Sequence, residues 1–99
     1  MSEIIGYFKS GFPIIELTIN NTKISFLLDT GFNGHILLPK DIIEKLGLIQ
    51  IGFSEYKTAD GKEIPVLSTE GNFSLAGMEM FHNCKIIIER YKNKVELSQ

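Results

Sequence analysis

From Phe12 to Asn20 apolar and polar positions alternate imperfectly, with Ile14, Ile15, Leu17 and Ile19 among polar partners, and this period of two predicts a strand. Asn20-Asn21 comes next, a pair suited to a tight turn, and Lys23 to Leu28 continues as a second strand, so the two make a hairpin. Its outgoing strand delivers Asp29. Asn33-Gly34 then tolerates a left-handed backbone and His35 to Leu38 resumes an apolar strand-like run, so the chain reverses just beyond the carboxylate. Asp41, Ile42, Ile43, Leu46 and Leu48 have helical spacing, Pro39 suits a first helical turn and Gly47 a stop. One short helix is predicted, over about 39 to 47.

Strand signals return from Ile51. GFSEYKTA, the Asp60-Gly61 turn and KEIPVLST read as a hairpin, in which Pro65 favours an edge position or an exposed arm. Further strands are predicted over Glu70 to Leu75 and Met78 to Glu89, with Lys85 to Glu89 (KIIIE) as a core strand. Six to eight short strands with one helix make the expected class all-β, a small closed β-barrel.

Composition narrows the setting. The chain has 99 residues, 43% hydrophobic and 22% charged, which fits a single domain over 1–99. A domain this small gains from burying apolar area against a second copy. A net charge of −2 and no Lys/Arg run argue against nucleic acid as a partner. Glu3, Lys9 and Glu16 interrupt the N-terminal apolar stretches, so neither a signal peptide nor a membrane span is expected, and a cytoplasmic location is. Cys84 is the only cysteine, which forbids an intrachain disulfide. His82 and Cys84 offer too few ligands for a closed zinc site unless the distant His35 joins them, so no metal and no cofactor are expected. His35 and His82 read as structural or surface histidines, Cys84 as a core filler, and Tyr91 to Lys94 as a solvated basic patch. No serine or cysteine sits in a nucleophile-elbow pattern.

Asp29 is where the chemistry concentrates. Asp-Thr-Gly is an ordinary turn composition, but FLL before it and ILLP after it place this turn beside packed core, where a carboxylate is costly unless hydrogen-bonded or paired. Two such aspartates meeting across a dimer axis would share one proton, leaving one base and one acid that together activate water. Asp41 belongs to the helix start and Asp60 to a hairpin tip, so neither forms a second loop of this kind. A second such aspartate would therefore come from another subunit.

An apolar strand ending in DTG, a turn, an ILLP strand, a short helix and a glycine-centred hairpin resemble, in that order and over about residues 12 to 90, the retropepsin-type aspartic peptidases and their small microbial relatives. The resemblance implies an acid-protease barrel, a homodimer with one DTG from each chain, and hairpin flaps over an extended polypeptide substrate. Asp29 would be catalytic, Thr30 would lock the two loops across the twofold, and Gly31 would allow their close approach. The flap would be the hairpin from Tyr56 to Ile64, with Asp60 and Gly61 at its tip. Two departures stand out. Phe32 replaces the small residue usual after DTG and would pack differently or present an aromatic wall to substrate. The family's later apolar pair and glycine, closing helix and final strand are not recognised: Ser74-Leu75-Ala76-Gly77 has the composition, but it precedes MEMFHN and a strand, and the chain reads as lacking the closing helix and strand. Three readings remain: an aspartic endopeptidase, a noncatalytic peptide-binding or assembly module on the same barrel, and an unrelated small barrel whose DTG is only a turn.

Overall fold

A computed structural model describes residues 3–99. The elements run β1 (Glu3–Lys9), β2 (Phe12–Ile19), β3 (Thr22–Leu28), β4 (Ile36–Pro39), α1 (Lys40–Leu46), β5 (Ile49–Gln50), β6 (Glu55–Lys57), β7 (Glu63–Thr69), β8 (Leu75–Ala76), β9 (Lys85–Glu89) and β10 (Lys94–Ser98), with 3-10 turns at Met78–Phe81 and Arg90–Lys92. The architecture is the strand-rich one that alternation predicts. The single α-helix among the described residues ends where Gly47 takes a left-handed φ of 70° and donates its N–H to Glu44 O.

The β2–β3 hairpin forms as expected, with Asn20 (φ 49°) and Asn21 (φ 63°) supplying the turn. A second hairpin precedes it. Ser10 (φ 53°) and Gly11 (φ 83°) turn β1 into β2, a strand pair that the interrupted apolar pattern of the N-terminus did not reveal. β1 serves two neighbours, pairing its first half with β10 and its second with β2. Gly6 sits at that changeover, where an added Cβ would lie 2.2 Å from Ile14 O.

Hydrogen bonding orders the strands β5-β6-β7-β4-β8-β3-β2-β1-β10-β9. Among the described residues no pairing joins β5 to β9, so the order is open where a closed barrel was expected. β5 has two residues, and the chain then folds back so that Ile51 donates to Glu55 O at 2.9 Å, leaving little ladder for closure. One core nevertheless runs beneath the strands. Ile15, Phe26, Leu38, Val66, Val95 and Leu97 are fully buried and come from five different strands.

Several local readings are corrected. β7 lies between β6 and β4, so Pro65 is not on an edge strand. Its missing N–H leaves the β6 ladder intact because the neighbouring Val66 N–H makes the bond to Ser54 O at 2.9 Å, and the β4 register begins one residue later at Val66. Of Glu70 to Leu75 only Leu75 is in a strand, since Gly71 donates to Thr69 Oγ1 in a local bend. Met78 to Phe81 is a 3-10 turn, and KIIIE forms an edge strand with no fully buried residue rather than a core strand. The C-terminal segment, for which no strand was predicted, contains β10, whose Val95 and Leu97 enter the core.

Candidate active site

The loop at Asp29 is hung between three strands. β8 runs parallel to β3, with Leu27 beside Leu75 and Leu28 beside Ala76, and antiparallel to β4, with Ile36 beside Ala76. It thus separates the strand that enters the loop from the strand that leaves it. Leu27 N–H donates to Ser74 O at 2.9 Å and Asp29 N–H to Ala76 O at 3.0 Å. Past β8, Gly77 N–H donates to His35 O at 2.8 Å, Met78 N–H to Phe32 O at 2.8 Å and Glu79 N–H to Gly34 O at 3.2 Å. Ser74–Gly77, set aside on sequence because MEMFHN and a strand succeed it rather than a closing helix, is therefore the segment that braces the loop. The signal was the glycine: an added Cβ on Gly77 would lie 2.3 Å from Gly34 O and 2.6 Å from Phe32 O.

Within the loop, Asp29 is half-buried, and its Oδ1 accepts the Gly31 N–H at 2.9 Å. Phe32 N–H closes the turn on Asp29 O at 3.2 Å. Thr30 and Gly31 are exposed, so the outer surface of the loop is open to another molecule. An added Cβ on Gly31 would meet only Asp29 Oδ1, at 3.4 Å, an ordinary van der Waals contact. The Phe32 ring packs against Gly34 of its own loop and Gly77 of the bracing segment. An aromatic after DTG is thus accommodated by two glycines without Cβ atoms.

Asp60 and Gly61 stand at the β6–β7 tip as expected, but the tip is fastened down. Thr58 is buried, and its hydroxyl donates to Asp60 Oδ1, while the Lys62 N–H reaches Thr58 Oγ1 at 3.1 Å and Asp60 Oδ1 at 3.3 Å. The Thr58 hydroxyl, followed by the Lys62 N–H, holds the Asp60 carboxyl below the usual aspartate range. Asn20 ties this tip to the β2–β3 turn: its Oδ1 accepts the Ala59 N–H at 2.9 Å and its Nδ2 donates to Leu46 O at 2.8 Å. That turn lies at the opposite end of β3 from Asp29. A cleft of about 730 Å³ at the tip and this turn is walled by Leu17, Ile19, Ile36, Leu46, Ile64 and Met80, and Asp29 does not line it.

A different hairpin presents apolar surface. Between β5 and β6 the chain turns through Gly52-Phe53-Ser54, with Gln50 Nε2 donating to Gly52 O at 3.0 Å and Phe53 O at 3.3 Å. Phe53 is 95% exposed, and Ile49 and Ile51 are 59% and 46% exposed. Ser54 O accepts the Val66 N–H at 2.9 Å, and Val66, Ile36, Ala76 and Leu28 then succeed one another as cross-strand neighbours. This loop therefore shares a row of the sheet with the residue before Asp29. Its composition of one Gly and one Phe gave no turn signal as strong as Asp60-Gly61.

Among the described residues no three His, Cys, Asp or Glu side chains group as metal ligands. His82 Nδ1 lies 3.2 Å from Glu79 O, and Cys84 is half-buried against the core. No helix among the described residues is long and apolar enough to cross a membrane.

This geometry agrees with comparison to known proteins. A retropepsin-like aspartic protease from Rickettsia conorii superposes with a TM-score of 0.66 at 27% identity, covering 97% of this chain and 90% of that one. The retroviral protease-like domain of Ddi1 from Leishmania major shares the fold with a TM-score of 0.55 at 11% identity, covering 94% and 95% of the two chains. Comparison with curated proteins returned no match. The aspartyl protease family model matches residues 15–94, a span that holds both the DTG loop and its Leu75–Gly77 brace, and the chain belongs to that family.

Proposed function

We propose that the protein is an aspartic endopeptidase acting as a homodimer on extended polypeptide, with Asp29 of each chain supplying one carboxylate. One observation carries this reading: the loop brings Asp29 to the surface half-buried, with its backbone braced on three strands and its Thr30-Gly31 face open. A single chain therefore offers half of a two-carboxylate site. When the two loops abut, their like charges resist double ionisation, and the pair holds one proton. The ionised carboxylate accepts a proton from a water molecule as its oxygen attacks the peptide carbonyl carbon. The protonated carboxyl donates to the carbonyl oxygen, giving a gem-diol. Collapse of that intermediate breaks the C–N bond, with a carboxyl proton passing to the leaving nitrogen.

In this reading Thr30 steadies the paired loops and Gly31 permits their approach. Phe32 acts beneath the loop rather than on substrate, and Asp60 and Gly61 fasten the β6–β7 tip. The element that covers the bound peptide is the β5–β6 hairpin, because it is apolar, exposed and in register with the DTG loop, whereas the Asp60 tip is held on Asn20.

The test is cleavage of a mixed peptide library from about pH 3 to 7, the range in which a coupled carboxylate pair titrates. Wild type is expected to cleave and Asp29→Asn to lose at least about a hundredfold in rate. Equal cleavage by both proteins would overturn the reading. Peptide binding that survives Asp29→Asn, with no cleavage by wild type, would establish a noncatalytic binding module instead.

A further inference from the structure

At the Asp29 end of β3 the outer face of the sheet passes from apolar to basic. Directly paired residues share a face, so Leu75, Leu27, Ile14 and Tyr7 form one row across β8, β3, β2 and β1, on the side opposite the buried Ala76, Leu28 and Ile15. The next positions on that side, toward the end of β3 from which Asp29 emerges, are Phe12 on β2 and Lys9 on β1, paired with each other. Phe12 is 54% exposed, and Lys9 is exposed beside it. The β1–β2 turn thus stands at the same end of the sheet as the Asp29 loop.

The β9–β10 turn comes to this end as well. A Cβ added to Gly11 would lie 3.0 Å from an Arg90 guanidinium nitrogen, so Arg90 rests against the β1–β2 turn. Neither Arg90 nor Lys9 is in an ion pair among the described residues. Lys92 and Lys94 share Glu89 at 3.9 and 4.0 Å, and Lys94 also meets Glu96 at 3.8 Å, contacts at the outer limit of an ion pair that leave both ammonium groups solvated. Tyr91 is 81% exposed, with Lys92 Nζ 5.4 Å from its ring centroid. Over these two turns four cations accompany two carboxylates, in a chain whose net charge is −2.

We infer that the β1–β2 and β9–β10 turns form a docking surface for an acidic segment of the polypeptide substrate, outside the stretch that reaches Asp29. Charge complementarity selects the occupant. An arginine fork takes a carboxylate through paired N–H donors, the lysines add point charges, and the exposed Tyr91 hydroxyl is a further donor. A second copy of this surface would bring like charges together, which disfavours self-pairing here. Continuity with the Asp29 end of the sheet favours a chain already lying along that end. The identity of the occupant as substrate rests on the hydrolytic reading of Asp29, whereas its binding requires no hydrolysis. The substrate class that follows is a polypeptide with aspartates or glutamates a few residues to one side of the scissile bond.

Fluorescence anisotropy of labelled peptides on the full chain carrying Asp29→Asn, where turnover is removed, tests this. The probe is an extended peptide with an apolar centre and a run of glutamates at one end, compared with the same peptide carrying glutamines there. The glutamate peptide is expected to bind about tenfold more tightly at low salt and to lose that advantage at about 0.5 M salt, where exposed charges are screened. Adding Lys9→Glu and Arg90→Glu together is expected to abolish the advantage and to pass it to a lysine-ended peptide. Arg90→Gln, a milder change, is expected to reduce it about twofold to threefold and carries the test if the double reversal does not fold, as circular dichroism would record. Amide NMR shifts on addition of the glutamate peptide are expected at residues 9–12 and 90–94. Equal binding of the glutamate and glutamine peptides, a glutamate advantage indifferent to the substitutions at Lys9 and Arg90, or charge-dependent binding to phosphatidylserine vesicles with no preference between the peptides would each overturn the inference. All of these outcomes are read without cleavage, so a wild type that cuts nothing would count against the hydrolytic reading while this surface is still decided by binding.

Discussion

Asp29 is placed by its neighbours' backbones more than by its own side chain. Its N–H is spent on Ala76 O, its carbonyl on Phe32 and one carboxylate oxygen on Gly31, so the group's direction is set by the loop's hydrogen bonds. The residue on which that geometry depends most is Gly77. Gly77→Ala would force a Cβ against two backbone oxygens that cannot move without breaking the loop. A loss of about 2 kcal/mol or more is expected in urea unfolding, together with loss of cleavage. Asp29 and the composition around it were legible in the sequence, since a carboxylate between FLL and ILLP is unusual. Gly77 was present there too, but its partners, Phe32 and Gly34, are more than forty residues away, and periodicity carries no record of them.

At the scale of elements, two hairpins of similar length behave differently. The β6–β7 tip is closed by Thr58, Asp60 and Lys62 and fastened to Asn20, so its carboxylate has a structural use. Because the folded pKa of Asp60 is depressed, the tip is stabilised above the unfolded aspartate pKa and loses that contribution as pH falls through the folded value. NMR titration of the Asp60 carboxyl is expected to give a midpoint below the ordinary aspartate range, returning toward that range in Thr58→Val. Among the described residues the β5–β6 loop carries no such fastening to another element beyond the Val66 ladder, and it exposes Phe53. Phe53→Ala is expected to leave thermal stability within about 0.5 kcal/mol of wild type, as befits an exposed side chain. If this hairpin covers the peptide, the same variant raises KM severalfold in the cleavage assay; an unchanged KM would return the covering role to another element.

The whole molecule has one core, and the proposed hydrolysis draws on two copies of it. Strands from both ends of the chain meet at β1–β10, and buried residues of β2, β3, β4, β7 and β10 pack together, so the protomer has the internal packing of a folded domain. Its proposed site has one carboxylate where the reaction uses two. Activity per protomer is therefore expected to rise with protein concentration until dimers saturate, and a dilution series of initial rates would show this as a rate rising faster than linearly. A strictly linear dependence down to nanomolar protein would mean that the single chain suffices or that the dimer is very tight, and sedimentation at the same dilution separates the two.

Local chemistry along the chain determined a good part of this. Alternation, the Asn20-Asn21 pair and Gly47 specified the β2–β3 hairpin and the end of α1, because turns and helix stops depend on a few adjacent residues. The position of Asp29 after an apolar strand was equally local. What only the tertiary structure decided were relations between distant segments. Leu75 and Ala76 became a strand because β3 and β4 flank them, although two residues carry almost no periodic signal. KIIIE, apolar enough to look like core, became an edge because no described strand lies beyond it. Composition measures how much apolar surface a segment carries, but which neighbour covers that surface is settled only when the strands are put in order.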